Sequence, residues 1–162
     1  MAETRWLNEQ ESKAWRQFLF MSSRLRRQLG TELQRATGLS AADYEVLVNL
    51  SEAPDGRLRP SELGNAIDWE KSRLSHQVSR MEQRGLVKRS ACKTDARGAF
   101  LAITPAGRRA IEKAAPAHVE QARRMFFDAL TPAQLDSLAE ISAAVLDRLS
   151  ECPSDDTDTG CD

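Results

Sequence analysis

The chain has 162 residues, of which 41% are apolar and 29% are charged, and its formal net charge is −1. This length suits one compact domain with helical extensions, and the apolar fraction is sufficient for a core. No apolar run reaches the roughly 18 residues that span a bilayer. The N-terminal residues include acids and no signal-like apolar stretch, so we expect a cytoplasmic protein.

Metal, disulfide and enzyme chemistry have little support in the residue counts. The three cysteines, Cys92, Cys152 and Cys161, are odd in number and have no C-x-x-C spacing, which argues against a disulfide framework and a zinc site. Only His76 and His118 are available as further ligands. A Gly-rich phosphate loop, G-x-S-x-G and H-E-x-x-H are all missing, so we expect neither a cofactor nor enzymatic activity.

The first element is predicted to be a long amphipathic helix from about Asn8 to Gln34, and Gly38 interrupts its pattern. Its apolar positions recur at helical spacing: Trp15, Phe18, Leu19, Leu25, Leu29 and Leu33. Ser40 followed by Asp43 is typical of a capped helix start, which predicts a second helix. That helix continues through Tyr44, Leu47, Val48 and Leu50, and turn residues from Ala53 to Arg57 end it.

The middle of the chain has the order of a winged helix-turn-helix. A short third helix starts at Pro60, and a turn at 68–70 with Trp69 as its apolar plug leads to a fourth helix, about Lys71 to Gln83. Gly85 ends that helix. Two β-compatible segments, 86–90 and 99–103, surround a polar tip at 93–98, which predicts a two-stranded wing.

Charge also favours nucleic acid as the partner of this segment. From Arg57 to Arg109 there are 12 Lys and Arg against 5 Asp and Glu, a net charge of +7, so the remainder carries −8. A positive segment in a near-neutral protein is typical of nucleic-acid binding, because neutralising phosphates and releasing counterions supply much of the affinity.

Two further amphipathic helices follow, one starting at Thr104-Pro105 and one at the Thr131-Pro132-x-Gln134 capping box. We therefore predict a mainly α fold with about six helices and a two-stranded wing. The predicted divisions are an N-terminal dimerisation helix (1–40), a DNA-binding module (41–104), C-terminal dimerisation helices (105–150) and a disordered acidic tail (151–162). A lone winged helix would leave the flanking apolar stripes in water, so we expect a symmetric homodimer with reading helices about 34 Å apart.

Three segments carry a resemblance to a known family: LSAADYEVLVNL, LRPSELGNAIDWEKSRLSHQVSRMEQRGLVKR and, most specifically, DARGAFLAITPAG. With these segments the chain resembles the MarR (multiple antibiotic resistance) transcriptional regulators from about Trp15 to Leu149. The resemblance implies a homodimer that binds pseudo-palindromic operators and usually represses. In some branches small phenolic or lipophilic ligands release the DNA, and in others cysteine oxidation does. Glu70 and Arg73 depart from the family pattern, which usually has a capping Asp, Ser or Thr and then a small Thr or Ser.

The predicted DNA contacts lie on the outward face of the fourth helix and on the wing. Arg73 is expected to bind guanine, and Arg97 at the wing tip is expected to enter the minor groove. Asp95 would orient Arg97 or a neighbouring cation. Arg80 either contacts DNA or pairs with Asp95 or Glu82. The full predicted set is Lys71, Ser72, Arg73, Ser75, His76, Ser79, Arg80, Arg89, Lys93, Asp95 and Arg97, with Lys88, Arg89 and Lys93 supplying general phosphate attraction.

An effector cavity is expected, by the same resemblance, where the first two helices meet the winged module. Its predicted lining is Trp15, Phe18, Met21, Tyr44 and Leu47, of which Trp15 and Tyr44 offer polar tips. Ordinary core packing is the alternative reading of these five residues, since their spacing is helical. His118 is read as a surface or core histidine.

Two other functions fit the same fold. One is a thiol-based redox switch using Cys92, whose pKa the neighbouring Arg89 and Lys93 would lower. The peroxide-sensing branch of the family carries its cysteine near the start of the first helix, where this chain has none. The other is a winged helix that contacts protein, although the +7 segment argues against it.

Overall fold

The computed structural model describes residues 4–91 and 99–151. Over these residues the chain forms six α-helices and three short strands, which confirms a mainly helical winged fold. The helices are α1 (Glu9–Thr37), α2 (Ala41–Glu52), α3 (Pro60–Ile67), α4 (Lys71–Gln83), α5 (Pro105–Met125) and α6 (Pro132–Glu151). The strands are β1 (Arg57–Leu58), β2 (Val87–Ala91) and β3 (Ala99–Ile103).

The sheet has one more strand than the sequence predicts. β3 lies in the centre and pairs antiparallel with β2 on one side and with β1 on the other. Arg57 faces Ala102 and Leu58 faces Leu101 in the register of β1 with β3. The prediction of a two-stranded wing was therefore incomplete, because a two-residue strand has too little sequence to show alternation.

Side-chain caps fix most of the helix starts. Asn8 and Ser40 each take part in a capping box, the first with Glu11 and the second with Asp43, which confirms the predicted start of α2. Thr131 and Gln134 bond reciprocally in the same way at the start of α6. At the start of α4, Glu70 makes no side-chain capping bond, consistent with its departure from the usual capping residues.

One core joins α1, α2, α3, α4, β3 and α5. Its fully buried side chains are Val46, Leu47, Leu50, Leu63, Val78, Met81 and Leu101. Leu33 near the end of α1 and Ile111 and Ala114 of α5 belong to the same cluster. The core thus extends on both sides of the predicted central module, 41–104. Close packing also explains Gly107, where a Cβ atom would lie 2.1 Å from the Leu86 carbonyl oxygen.

Two compact units divide the chain, the first ending at Ala122 and the second beginning at Arg123. The second contains α6, and none of residues 132–151, all of which the structure describes, is buried. The large apolar side chains Leu135, Ile141, Val145, Leu146 and Leu149 are all exposed there. Among the described residues, no helix combines the length and apolar character that crossing a membrane requires.

Candidate nucleic-acid interface

α4 has a buried side and an exposed side that match the sequence prediction. Leu74, Gln77, Val78 and Met81 are buried against the core. The predicted contact residues of this helix are all exposed: Lys71, Ser72, Arg73, Ser75, His76, Ser79 and Arg80. Because the core fixes the inner side, the outer side presents hydroxyl, imidazole and guanidinium groups on a rigid support. Such groups hydrogen-bond to base edges and phosphates.

Arg73 is held by an aromatic ring. Its guanidinium carbon lies 4.1 Å from the centroid of Trp69, the turn residue that was predicted to plug the module from below. Trp69 is itself buried, at 9% exposure. Such a cation–π contact contributes about 0.5–1 kcal/mol at an exposed site. The stack leaves Arg73 exposed and limits the freedom of its side chain.

Arg80 has a partner that the sequence did not predict. Its Nη2 donates to Oε1 of Gln77. Glu82, one of its two predicted partners, pairs instead with Arg89, whose Nε lies 3.2 Å from Glu82 Oε2. The backbone N–H of Arg89 also donates to Glu82, at 3.0 Å. The Arg80–Glu82 pair, which the sequence offered as an alternative to DNA contact, is therefore not the arrangement observed, and Arg89 is an ion-paired cation with 51% of its side chain exposed.

Beneath α4, the buried carboxylate of Asp43 accepts bonds from three directions. Gln77 Nε2 donates to Oδ1 at 2.8 Å, and Arg84 Nη1 donates to Oδ2 at 2.7 Å. The backbone N–H of Ser40 also donates to Oδ2, at 2.8 Å. Burial alone would raise the pKa of Asp43, but the bonds from Arg84 and Ser40 outweigh it and hold the pKa below its usual value.

From the sequence, Asp43 was predicted only to cap α2. A signal for more was present, because positions 43, 46, 47 and 50 share the face of α2 that Val46, Leu47 and Leu50 bury. An acid on a buried face needs a partner, and the two that it finds are 34 and 41 residues away in the chain. Pattern alone does not identify partners at that distance.

Two further cations, Arg57 and Arg59, lie at the base of the wing. The guanidinium carbons of Arg57 and Arg59 lie 5.1 Å and 5.3 Å from the Phe100 ring centroid. We call these three residues the Phe100 cluster. Arg57 also pairs with Asp55 at 3.3 Å, with both side chains largely exposed. The cluster was missed because its contacts depend on the pairing of β1 with β3.

A groove of about 650 Å³ connects this region to α4. Arg59, Lys71, Ser75 and Arg89 line it, and Trp69 and Leu101 contribute apolar surface. One of the Phe100-cluster cations therefore shares a groove with the predicted contact residues of α4. The predicted wing-tip residues Lys93, Asp95 and Arg97, and the predicted thiol Cys92, lie outside the described residues.

The five residues predicted for an effector cavity have different environments. Leu47 is fully buried in the core, as its alternative reading as a packing residue requires. Trp15, Phe18 and Met21 are exposed, and the rings of Trp15 and Phe18 stack with centroids 6.0 Å apart. The structure therefore groups two of the five by direct ring contact and assigns Leu47 to the core.

Tyr44, the fifth residue, is half-buried and packs against His118, with ring centroids 4.3 Å apart. Nδ1 of His118 is buried and has no hydrogen-bond partner among the described residues. Burial lowers the pKa of His118. Burial, with a smaller contribution from Glu52, raises the pKa of Tyr44.

Comparison with known proteins gives consistent matches. A family model described as the MarR family matches residues 37–98. The structure of AbsC, a MarR family transcriptional regulator from Streptomyces coelicolor, is similar with a TM-score of 0.87 and 43% identity, over 92% of this chain and 100% of that one. No curated protein sequence matches significantly.

DNA is present in at least two of the similar solved structures. Sco3205, a MarR family transcriptional regulator from Streptomyces coelicolor in complex with DNA, has a TM-score of 0.87 and 38% identity, over 98% of this chain and 97% of that one. A mutant of MarR from E. coli, complexed with operator DNA, has 21% identity and a TM-score of 0.73 over 81% of this chain and 91% of its own, and shows a shared fold. Given the identity to AbsC and Sco3205 over almost the whole chain, the protein belongs to the MarR family of transcriptional regulators.

Proposed function

We propose that the protein is a homodimeric repressor that binds a pseudo-palindromic DNA operator with α4 of each protomer in a major groove. The observation that carries the proposal is the exposed polar side of α4, with Arg73 stacked on Trp69 and Arg80 bonded to Gln77. A B-DNA major groove accommodates one helix, and its base edges offer acceptors to arginine. The DNA complex of Sco3205, at 38% identity, supports the same use of this fold.

Within α4, Arg73 is assigned to guanine because a guanidinium donates to O6 and N7 together. Ser72, Ser75, His76 and Ser79 contact base edges or phosphates, according to their reach. Lys71, Arg89 and Lys93 contact phosphates, Arg97 enters the minor groove, and Asp95 orients it. The ion pair of Arg89 with Glu82 leaves half of the Arg89 side chain available for a phosphate.

The Phe100 cluster extends the proposed phosphate contacts. Arg57 and Arg59 both lie over the Phe100 ring, which attracts both cations and reduces the freedom that each loses on binding. Arg59 lines the groove that also contains Lys71 and Ser75 of α4. We assign Arg59 to a backbone phosphate beside the half-site, a contact that adds affinity without reading sequence.

The dimer is proposed to form through the helices outside the winged core. α6 has no buried residue, and Trp15, Phe18, Leu19 and Phe20 of α1 are exposed. Exposed apolar surface of this extent is typical of an interface, and an isologous contact between two copies is the commonest closed arrangement. Two copies of α4 separated by about 34 Å would match successive major grooves on one side of a duplex.

Release by a small lipophilic or phenolic effector is the regulatory part of the proposal. The exposed Trp15–Phe18 stack and the half-buried Tyr44 supply aromatic surface and polar tips. Beside Tyr44, Nδ1 of His118 has no hydrogen-bond partner among the residues that the structure describes. A ligand shifts the equilibrium between two arrangements of the reading helices only if it binds one of them more tightly than the other. Titration with phenolic ligands should release operator from the wild type and less readily from Trp15→Ala and Tyr44→Phe. Identical release curves would contradict this part.

The test of DNA recognition is a selection of duplexes from a random-sequence pool, followed by fluorescence anisotropy on the selected and scrambled duplexes. We expect an inverted repeat whose half-site centres lie about 10 base pairs apart or a multiple of that. Affinity should fall steeply with salt. Placing the selected repeat over a promoter should reduce transcription when the protein is added. Equal affinity for selected and scrambled duplexes would contradict sequence-specific binding.

A further inference from the structure

Two buried polar residues, Asp43 and Gln77, are bonded to each other behind the exposed side of α4. We propose that Asp43 and Gln77 are positioning residues that contribute to operator recognition by fixing the guanidinium of Arg80. Asp43 and Gln77 are only 2% and 3% exposed, whereas Arg80 is exposed on the proposed contact side. The inference rests on the proposed function and assigns a role to residues behind the interface.

The orientation of the Gln77 amide is the first step. An ionised carboxylate accepts hydrogen bonds and donates none, so Asp43 Oδ1 requires the NH₂ end of the amide to face it. Gln77 Nε2 donates to that oxygen at 2.8 Å. The carbonyl end, Oε1, therefore points away from Asp43 and is available as an acceptor.

Arg80 uses that acceptor. Its Nη2 donates to Gln77 Oε1 one helical turn away. An arginine side chain that is already held loses less rotational freedom when it contacts DNA. The charge of Asp43 thus selects the amide orientation, and the amide fixes Arg80, so a buried acid on α2 acts on a cation of α4.

Arg84 completes the arrangement from the other side. Its Nη1 bonds Asp43 Oδ2 at 2.7 Å, and its Nη2 bonds the Gly38 carbonyl oxygen at 3.2 Å. A buried carboxylate is tolerated when it is paired and hydrogen-bonded, and Arg84 supplies the charge that does this. The same carboxylate therefore connects the end of α4 to the junction of α1 and α2 and keeps one ionised form to orient Gln77.

A double-mutant cycle separates this role from a general loss of stability. Gln77→Met preserves length and removes both hydrogen bonds. On the selected operator it should weaken binding about fivefold when Arg80 is present and less than about 1.5-fold in the Arg80→Ala background, because contacting residues are coupled. The matched control pairs Gln77→Met with Ser72→Ala, whose hydroxyl is outside this network, and there the two losses should add.

Each outcome decides the proposal. An equal loss from Gln77→Met in the Arg80 and Arg80→Ala backgrounds would overturn it, as would an equal loss on selected and scrambled duplexes. If the wild type binds no duplex selectively, the proposed function fails as well. Selective wild-type binding without coupling would overturn this inference alone.

A second variant and a second measurement address the risk that Gln77→Met does not fold. Asp43→Asn keeps the shape and allows the Gln77 amide to face either way. In the free protein, ¹⁵N relaxation of the Arg80 Nε–Hε group should show greater side-chain mobility in Asp43→Asn, while the same signal of Arg73 stays unchanged. Unchanged mobility of Arg80 would overturn the proposal without reference to DNA.

Discussion

α4 and α6 are both amphipathic helices, but of the two only α4 has its apolar side buried among the residues that the structure describes. The apolar residues Leu74, Val78 and Met81 of α4 are at most 4% exposed, whereas Ile141, Val145 and Leu149 of α6 are at least 53% exposed. An apolar stripe predicts that a helix will form and which face will be covered. It does not indicate whether the covering surface belongs to the same chain.

α1 shows the same contrast within one helix. Leu33 near its end is 4% exposed and belongs to the core, whereas Trp15 and Phe18 nearer its start are about half exposed. The change from buried to exposed apolar residues therefore occurs within α1 and not at the boundary between two elements. The end of α1 stabilises the winged core, and its earlier turns, like α6, offer apolar surface to a second copy in the proposed dimer.

The largest effect should come from placing a charge on the α6 stripe. Ile141→Asp would bury an unpaired carboxylate in the proposed interface, at a cost of about 3–5 kcal/mol, and raise the dimer dissociation constant at least about a hundredfold. Analytical ultracentrifugation measures the change. Ser142→Asp, at the neighbouring exposed position, is the matched control. A dimer unaffected by Ile141→Asp would mean that α6 is not in the interface.

A core truncation should have a comparable or smaller effect, but on folding. Leu47 is fully buried, so Leu47→Ala should lower the free energy of unfolding by about 2–5 kcal/mol through lost apolar burial and a residual cavity. Urea denaturation followed by circular dichroism measures the loss. A loss below about 1 kcal/mol would indicate that Leu47 lines adaptable space, as its predicted place in an effector cavity requires.

Arg73→Ala should next affect DNA reading rather than folding. If Arg73 donates to guanine, the variant should lose about 1–3 kcal/mol per half-site and relax preference at one operator position. Anisotropy titrations on the selected operator and its single-base variants measure both effects. Equal losses on selected and random duplexes would show that Arg73 contacts only phosphate.

Loss of a phosphate contact should change how steeply the DNA affinity falls with salt concentration. Arg59→Ala should make the slope of log affinity against log salt shallower by about 0.9 per contact, or about two per dimer, and act alike on selected and random duplexes. Arg97→Ala, at the predicted wing tip, should behave similarly. Arg35→Ala is the control, since Arg35 pairs with Glu32 on α1 and is not one of the cations over Phe100. An unchanged slope for Arg59→Ala would remove the Phe100 cluster from the interface.

The smallest effect concerns pH and the Tyr44–His118 pair. Burial lowers the pKa of His118, so the unfolded chain takes up a proton first, at its ordinary pKa of about 6.5. The contribution of His118 to the free energy of unfolding should therefore stay constant above about pH 6.5 and decrease as the pH falls below that value. His118→Asn should reduce this decrease between pH 7.5 and 5.5 in urea titrations. An equal decrease in both proteins would assign it to other groups.

Much of the fold was predictable because its signals are local. Ser40 with Asp43 and Thr131 with Gln134 mark helix starts within four residues, and Gly38, with φ of 73°, marks a helix end. The Arg73–Trp69 stack also joins residues only four positions apart. The sequence placed Trp69 in the turn and Arg73 in the following helix.

The features that sequence did not predict depend on contacts between distant segments. β1 exists because Arg57 and Leu58 pair with β3, more than 40 residues later. The bonds of Asp43 to Gln77 and Arg84, and the placement of Arg57 and Arg59 around Phe100, have the same origin. Strand register and packing between distant segments create these sites. The spacing of residues within one helix predicts neither.

In the proposed complex, two copies of α4 bind one operator because α6 and the first half of α1 require a second copy of the chain. The most direct test is sedimentation of the protein with a duplex that carries the selected inverted repeat, at concentrations above the dissociation constant. We expect two chains per duplex for the wild type, and binding to the full site at least about tenfold weaker for Ile141→Asp than for Ser142→Asp. One chain per duplex, bound as tightly by Ile141→Asp as by the wild type, would contradict it.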